Sequence, residues 1–102
     1  MTKPCPNCGV AFAGSRRSQV FCGATCRADF YDVQAIRGKV ALPLLQTWRR
    51  GKRGASEAST YAFAQLCALA DKWNAEDAAT GRDPSRIVQG KMDSAWRAVD
   101  LG

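Results

Sequence analysis

Apolar residues recur at helical spacing over two long stretches of this chain and alternate over one short stretch ahead of them. From residue 24 to about 50, Phe30, Tyr31, Val33, Ile36, Val40, Leu44, Leu45 and Trp48 return every three or four positions, which places them on one face of an α-helix. Gly38 and Pro43 fall inside this run. Proline removes a backbone donor and crowds the preceding turn, so a break or kink is expected near residues 38–43. A second helix is expected from about Ser56 to Thr80, with Ser56 or Ser59 as N-cap and Gly81 just past its end. Its apolar stripe reads Phe63, Leu66, Cys67, Ala70 and Trp73. Asp83-Pro84 reads as a third helix start. Ile87, Val88, Met92, Ala95, Trp96 and Val99 would then face the preceding helix, and Gly90 would weaken this one by about 1 kcal/mol relative to alanine. Before the helices, Val10 and Phe12, then Val20 and Phe21, flank the turn residues Gly14-Ser15-Arg16-Arg17-Ser18 and predict a β-hairpin.

The pattern predicts a mainly α chain with a small β-hairpin, in three regions. Residues 1–38 hold a cysteine-rich module and the start of a central helix, 39–54 the end of that helix and a basic linker, and 55–102 a helical hairpin packed on the central helix. Trp48, Trp73 and Trp96, one per expected helix, are read as a shared core in preference to exposed recognition residues, since large aromatics on helical stripes usually pack. Cys67 is expected as a small buried apolar residue.

At 102 residues the chain can form one compact domain, or a metal module joined to a modest helical one. A hydrophobic fraction of 46% and a charged fraction of 24% exclude a wholly disordered chain. No apolar run approaches the ~20 residues of a membrane-spanning helix. The start Met1-Thr2-Lys3-Pro4-Cys5 has no apolar stretch behind it and does not read as a secretory signal. Cytoplasmic residence is the expectation. Residues 1–54 contain ten Lys/Arg and two Asp, a balance of +8, whereas residues 55–102 contain five Lys/Arg and seven Asp/Glu, a balance of −2. The first half therefore suits an anionic partner.

Five cysteines need an explanation in so short a chain, and four of them, Cys5, Cys8, Cys22 and Cys26, lie within the first 26 residues. CxxC, thirteen intervening residues and CxxxC suit one tetrahedral zinc ion held by thiolates at about 2.3 Å. Pro6 stiffens the first pair, and Gly9 supplies the positive φ with which such a knuckle bends away. Cys22 would precede the central helix and Cys26 would sit in its first turn, where the helix dipole favours thiolate. One structural Zn²⁺ is favoured over two disulfides, over a thioredoxin-like redox pair at Cys5 and Cys8, and over iron. The odd cysteine count disfavours disulfides, and no βαβ pattern surrounds the first pair.

The residues Cys5-Pro6-Asn7-Cys8-Gly9, Phe12 and Phe21-Cys22-Gly23-Ala24-Thr25-Cys26-Arg27 resemble the treble-clef group of zinc modules. They are similar in particular to the short YacG-type bacterial zinc proteins, which are implicated in inhibiting DNA gyrase. Gly23 stands where that pattern has serine, and the resemblance covers about the first 31 residues. It implies a treble-clef-like zinc finger leading into a small helical bundle, in a small protein of bacterial or phage type.

A catalytic zinc keeps an open position for water. Four thiolates leave none, and with no histidine in the chain general acid–base chemistry lacks its usual group. An enzyme, or a small-molecule substrate, is not expected. Arg16 and Arg17 at the hairpin tip, Arg27 at the helix start, and Arg49, Arg50, Lys52 and Arg53 on the linker suit phosphate contacts. For the linker group an acidic protein partner or plain solvation are the competing readings. The favoured function is a nucleic-acid-associated zinc protein, with DNA the expected partner, acting in control of transcription or replication. The alternative is an adaptor or inhibitor bound to a DNA-processing enzyme such as gyrase or RNA polymerase.

Overall fold

A computed structural model describes residues 2–16, 18–51 and 56–93. The elements run β1 (Lys3–Pro4), β2 (Ala11–Phe12), α1 (Ala24–Arg50), α2 (Glu57–Thr80) and α3 (Ser85–Asp93). The chain is mainly helical with one small antiparallel strand pair, in which Lys3 faces Phe12 and Pro4 faces Ala11. The strand pair thus brackets the first cysteine pair. It is not the expected hairpin of Val10 and Phe12 with Val20 and Phe21. Residues 13–16 and 18–23 form turns and bends, held by Gln19, which accepts from the Ser15 N–H at 2.9 Å and donates to the Phe21 carbonyl at 2.8 Å. Those side-chain bonds replace the ladder that alternation alone suggested.

Of the break or kink expected at residues 38–43, a break is absent: α1 continues through Pro43. Pro43 and Lys39 are both exposed, so the carbonyl that loses its intrahelical donor can bond to water. The N-terminus of α2 is capped as the sequence indicates, with the Ser59 N–H donating to Ser56 Oγ at 3.1 Å. Gly81 closes it at φ +83°. Asp83 caps α3, accepting from the Ser85 N–H at 3.0 Å.

The chain divides into two compact units, Tyr31–Glu76 and the residues on either side of it, through Phe30 and from Asp77 onward. In Tyr31–Glu76, α1 and α2 pair antiparallel. Ser59 Oγ donates to the Trp48 carbonyl at 2.8 Å, the Trp48 and Phe63 rings stack at 5.5 Å, and the Arg37 guanidinium lies over Trp73 at 5.3 Å while reaching Glu76 at 3.4 Å. The more covered positions step 37, 41, 44, 48 on α1 and 59, 62, 66, 69, 73 on α2, the three–four alternation of a coiled-coil seam. This corrects two expectations. Phe63, Cys67 and Ala70 lie on the exposed flank of α2, Cys67 included, while Ser59, Ala62 and Leu69 take the covered positions. Trp48 and Trp73 sit at opposite ends of this pairing instead of sharing a core, and Trp96, with Ala95 and Val99, lies outside the described residues.

The other unit has the better-buried core. Cys5, Phe21 and Phe30 are buried together, with Cys8, Phe12, Cys26 and Ile87 packed against them. The Phe21 and Phe30 rings are 5.3 Å apart and tilted. Ile87 therefore packs on the cysteine-rich end, and Val88 and Met92 are exposed. Among the described residues no helix is long and apolar enough to cross a membrane.

Candidate metal centre

Two local structures bring the four sulfurs together. The first is the knuckle between β1 and β2. The Cys5 N–H donates to the Val10 carbonyl at 3.0 Å and the Gly9 N–H to the Cys5 carbonyl at 2.9 Å, while Gly9 turns the chain at φ +77°. This places Cys5 and Cys8 on one tight loop. The second is the entry to α1, where Cys22 and Cys26 are one helical turn apart. Cys22 Sγ lies 3.5 Å from Cys26 Sγ and 3.8 Å from Cys8 Sγ, and the four sulfurs all fall within 4.8 Å of one another.

That spacing meets a geometric test. Ligands at about 2.3 Å from a tetrahedral centre stand about 3.8 Å apart. The four cysteines could therefore hold one metal ion, and the set is complete without a fifth donor. Cys5 is buried, Cys8 and Cys26 are half-buried and Cys22 is exposed, so the group opens to solvent on one side.

The electrostatics of the thiols point the same way. Burial opposes ionisation of Cys5, but the backbone N–H groups of Cys22, Cys8 and Asn7 aim at its sulfur and outweigh that cost, lowering the thiol to about 6. The Cys22 N–H lies 3.5 Å from the Cys5 sulfur. Cys22, hydrogen-bonded through its sulfur to Cys26, Cys5 and Cys8, is pushed up to about 12. With no cation present, the cluster keeps a proton on Cys22 to offset the negative charge around it, and a metal ion must displace that proton. Metal affinity is therefore expected to rise with pH by at least about tenfold per unit where Cys22 is protonated and Cys5 is not. Below about 6 the slope steepens, because Cys5 also carries a proton in the metal-free state. Competition against a chelator of known pH dependence, across about pH 5 to 8, measures this slope; an affinity independent of pH contradicts it.

Residues far along the chain brace the knuckle. The Asp83 N–H donates to the Pro6 carbonyl at 2.8 Å. Arg86 Nη1 donates to the Cys5 carbonyl at 2.9 Å and to the Gly81 carbonyl at 3.1 Å. Gly9 and Gly81 meet backbone to backbone, so closely that a Cβ at Gly9 would stand 2.9 Å from the Gly81 oxygen, and one at Gly81 would collide with the Cys8 carbonyl. Arg82 lies over the Phe30 ring at 4.3 Å and donates to Asp77 at 2.9 Å, with both side chains of that ion pair buried. Sequence reasoning took Gly81 and Asp83 for helix punctuation and passed over Asp77, Arg82 and Arg86. Arg86 stands 81 residues along the chain from Cys5, and no local pattern carries such a pairing.

The described basic residues fall on three segments of the chain. Arg16 is exposed in the turn region, Arg27 is exposed in the first turns of α1, and Arg49 and Arg50 are exposed in its last turn. Arg17, Lys52 and Arg53 lie outside the described residues. No family model, curated protein or solved structure matches this chain.

Proposed function

We propose that this chain is a structural zinc protein that binds nucleic acid through its basic residues and acts in the control of transcription or replication. The observation that carries the proposal is the closed set of four sulfurs beside a strongly basic first half. Zinc is the ion that suits the set. It takes four thiolates tetrahedrally, needs no redox partner, and in this arrangement has no open position for a reacting water. The ion's part is then to fix the knuckle against the start of α1, in a treble-clef-like arrangement. The described residues carry no histidine, and the ligand set is saturated, so binding is the reading in place of catalysis.

Arg16 and Arg27 belong to the unit that holds the sulfurs, and Arg49 and Arg50 to the unit Tyr31–Glu76. All four are exposed, and among the described residues none has an ion pair that would compete with phosphate. Exposed guanidinium groups release condensed counterions when they neutralise phosphates, which makes such binding steeply salt-dependent and tolerant of sequence. Fluorescence anisotropy with a labelled random duplex tests the proposal. The affinity of the zinc-loaded protein is expected to fall steeply between about 50 and 200 mM salt. Replacing Arg49, Arg50, Lys52 and Arg53 by alanine is expected to flatten the log–log slope by up to about 3.6, four phosphates at about 0.9 each. No binding at the lowest salt rules DNA contact out. The same basic surface would then be assigned to an acidic protein partner, such as a DNA-processing enzyme.

A further inference from the structure

The pairing of α1 with α2 in Tyr31–Glu76 leaves an apolar flank that this unit does not cover. A helix advances by about 100° per residue, so the covered row of α1 has beside it Tyr31, Leu42, Leu45 and, at its end, Arg49, and the covered row of α2 has beside it Phe63, Cys67 and Ala70 between Ser56 and Asn74. The Trp48–Phe63 stack places the two flanks on the same side of the helix pair. Tyr31, Leu42, Leu45 and Phe63 are each about half exposed. With about 150–250 Å² for an aromatic side chain and less for leucine, these four side chains present roughly 350 Å² of apolar surface, within the ~300–600 Å² of the largest, often functional, patch on a monomer. An apolar stripe this wide exceeds the seam one partner helix covers and suits helices that each touch two neighbours. The opposite flank also carries apolar residues, Ile36, Val40 and Tyr61, beside Gln65 and Lys72, and the charges along the first face decide between the two.

Charge identifies the occupant. Along the outer edge of the face α1 carries Lys39 and α2 carries Asp71. Both are exposed, and among the described residues no ion pair engages them. In the register set by Arg37 with Trp73 and Trp48 with Phe63, Lys39 stands level with Asp71. The two edges lie on opposite sides of the face, too far apart to pair within one chain. A second copy, turned about a two-fold axis parallel to the helices, lays its α2 along this α1 with the same antiparallel register. Lys39 then meets the copy's Asp71, and the pairing occurs twice. A self-complementary patch is what a two-fold interface requires.

We propose that two copies of this chain associate through the face formed by Tyr31, Leu42, Leu45, Phe63 and Cys67, making an antiparallel four-helix bundle. The proposal is independent of the metal and of any nucleic acid. Sedimentation velocity on the full zinc-loaded chain over about 1–100 µM tests it, with circular dichroism to confirm helicity in each variant. The wild type is expected to be dimeric at the upper concentrations. Leu45→Glu is expected to make it monomeric, and Ile36→Glu on the opposite flank to leave the dimer unchanged. Because Leu45→Glu could disturb the hairpin itself, two exposed positions give a second arm. Lys39→Glu alone is expected to weaken association about tenfold, and Lys39→Glu with Asp71→Lys in one chain to restore it. The proposal is overturned by a wild type that stays monomeric throughout, by a double reversal no better than the single one, or by a dimer that Ile36→Glu disrupts and Leu45→Glu does not.

Discussion

Stripping the metal with a strong chelator is expected to unfold the segment from β1 to the start of α1, with helix retained in Tyr31–Glu76. Apparent binding energies of structural zinc run to ~10–16 kcal/mol, at or above the ~5–15 kcal/mol that stabilises a whole domain. Apart from the bracing contacts of Asp83, Arg86 and Ile87, the segment has little else to hold it. Its strands are two residues each, and its buried apolar side chains, Phe21 and Phe30, pack directly on the ligand Cys5. Without a cation, four sulfurs remain within 4.8 Å of one another, and the thiolates among them repel. The change is best read residue by residue, from amide signals of the knuckle against those of α2. Cys26→Ala should reproduce it without chelator. Unchanged knuckle signals after metal loss would contradict the account.

The second large effect is expected at Asp77. Its ion pair with Arg82 is buried, with side chains 6% and 5% exposed, and Arg82 covers the Phe30 ring. Asp77→Ala leaves the guanidinium buried without its carboxylate, at a cost of about 3–5 kcal/mol. For a chain of this size that lowers the thermal midpoint by more than about 10 °C. Replacing both partners, as Asp77→Leu with Arg82→Met, is expected to recover most of the loss, because the charges leave together. Thermal unfolding of the three proteins with metal bound makes the comparison. A single variant as stable as wild type would mean that the pair contributes little to holding the knuckle side of the molecule together.

Local chemistry was legible in the sequence; long-range packing was legible only in part. The two cysteine pairs, the N-cap at Ser56, the left-handed Gly81 and the Asp83 cap each depend on a few adjacent residues, and each appears where those residues place it. The strand pair was misplaced because Val10, Phe12, Val20 and Phe21 alternate as strand residues do, yet Gln19 bonds its own turn and pulls that segment out of any ladder. Pro43 suggested a break that a solvent-facing position makes unnecessary. Cys67 and Phe63 looked like core because an apolar period does not reveal how many neighbours a helix has. The α2 face they occupy is apolar and exposed. Ile87 and Arg86 belong to the knuckle through contacts that span most of the chain. A periodicity argument treats each helix by itself and could not find them.

Native mass spectrometry of the freshly purified protein tests the central claim most directly, since it counts metal ions on intact chains. One zinc per chain is expected, released under denaturing acid and absent from the Cys26→Ala variant. A wild-type chain that carries no metal, while its knuckle gives the amide signals of an ordered structure, would contradict the claim.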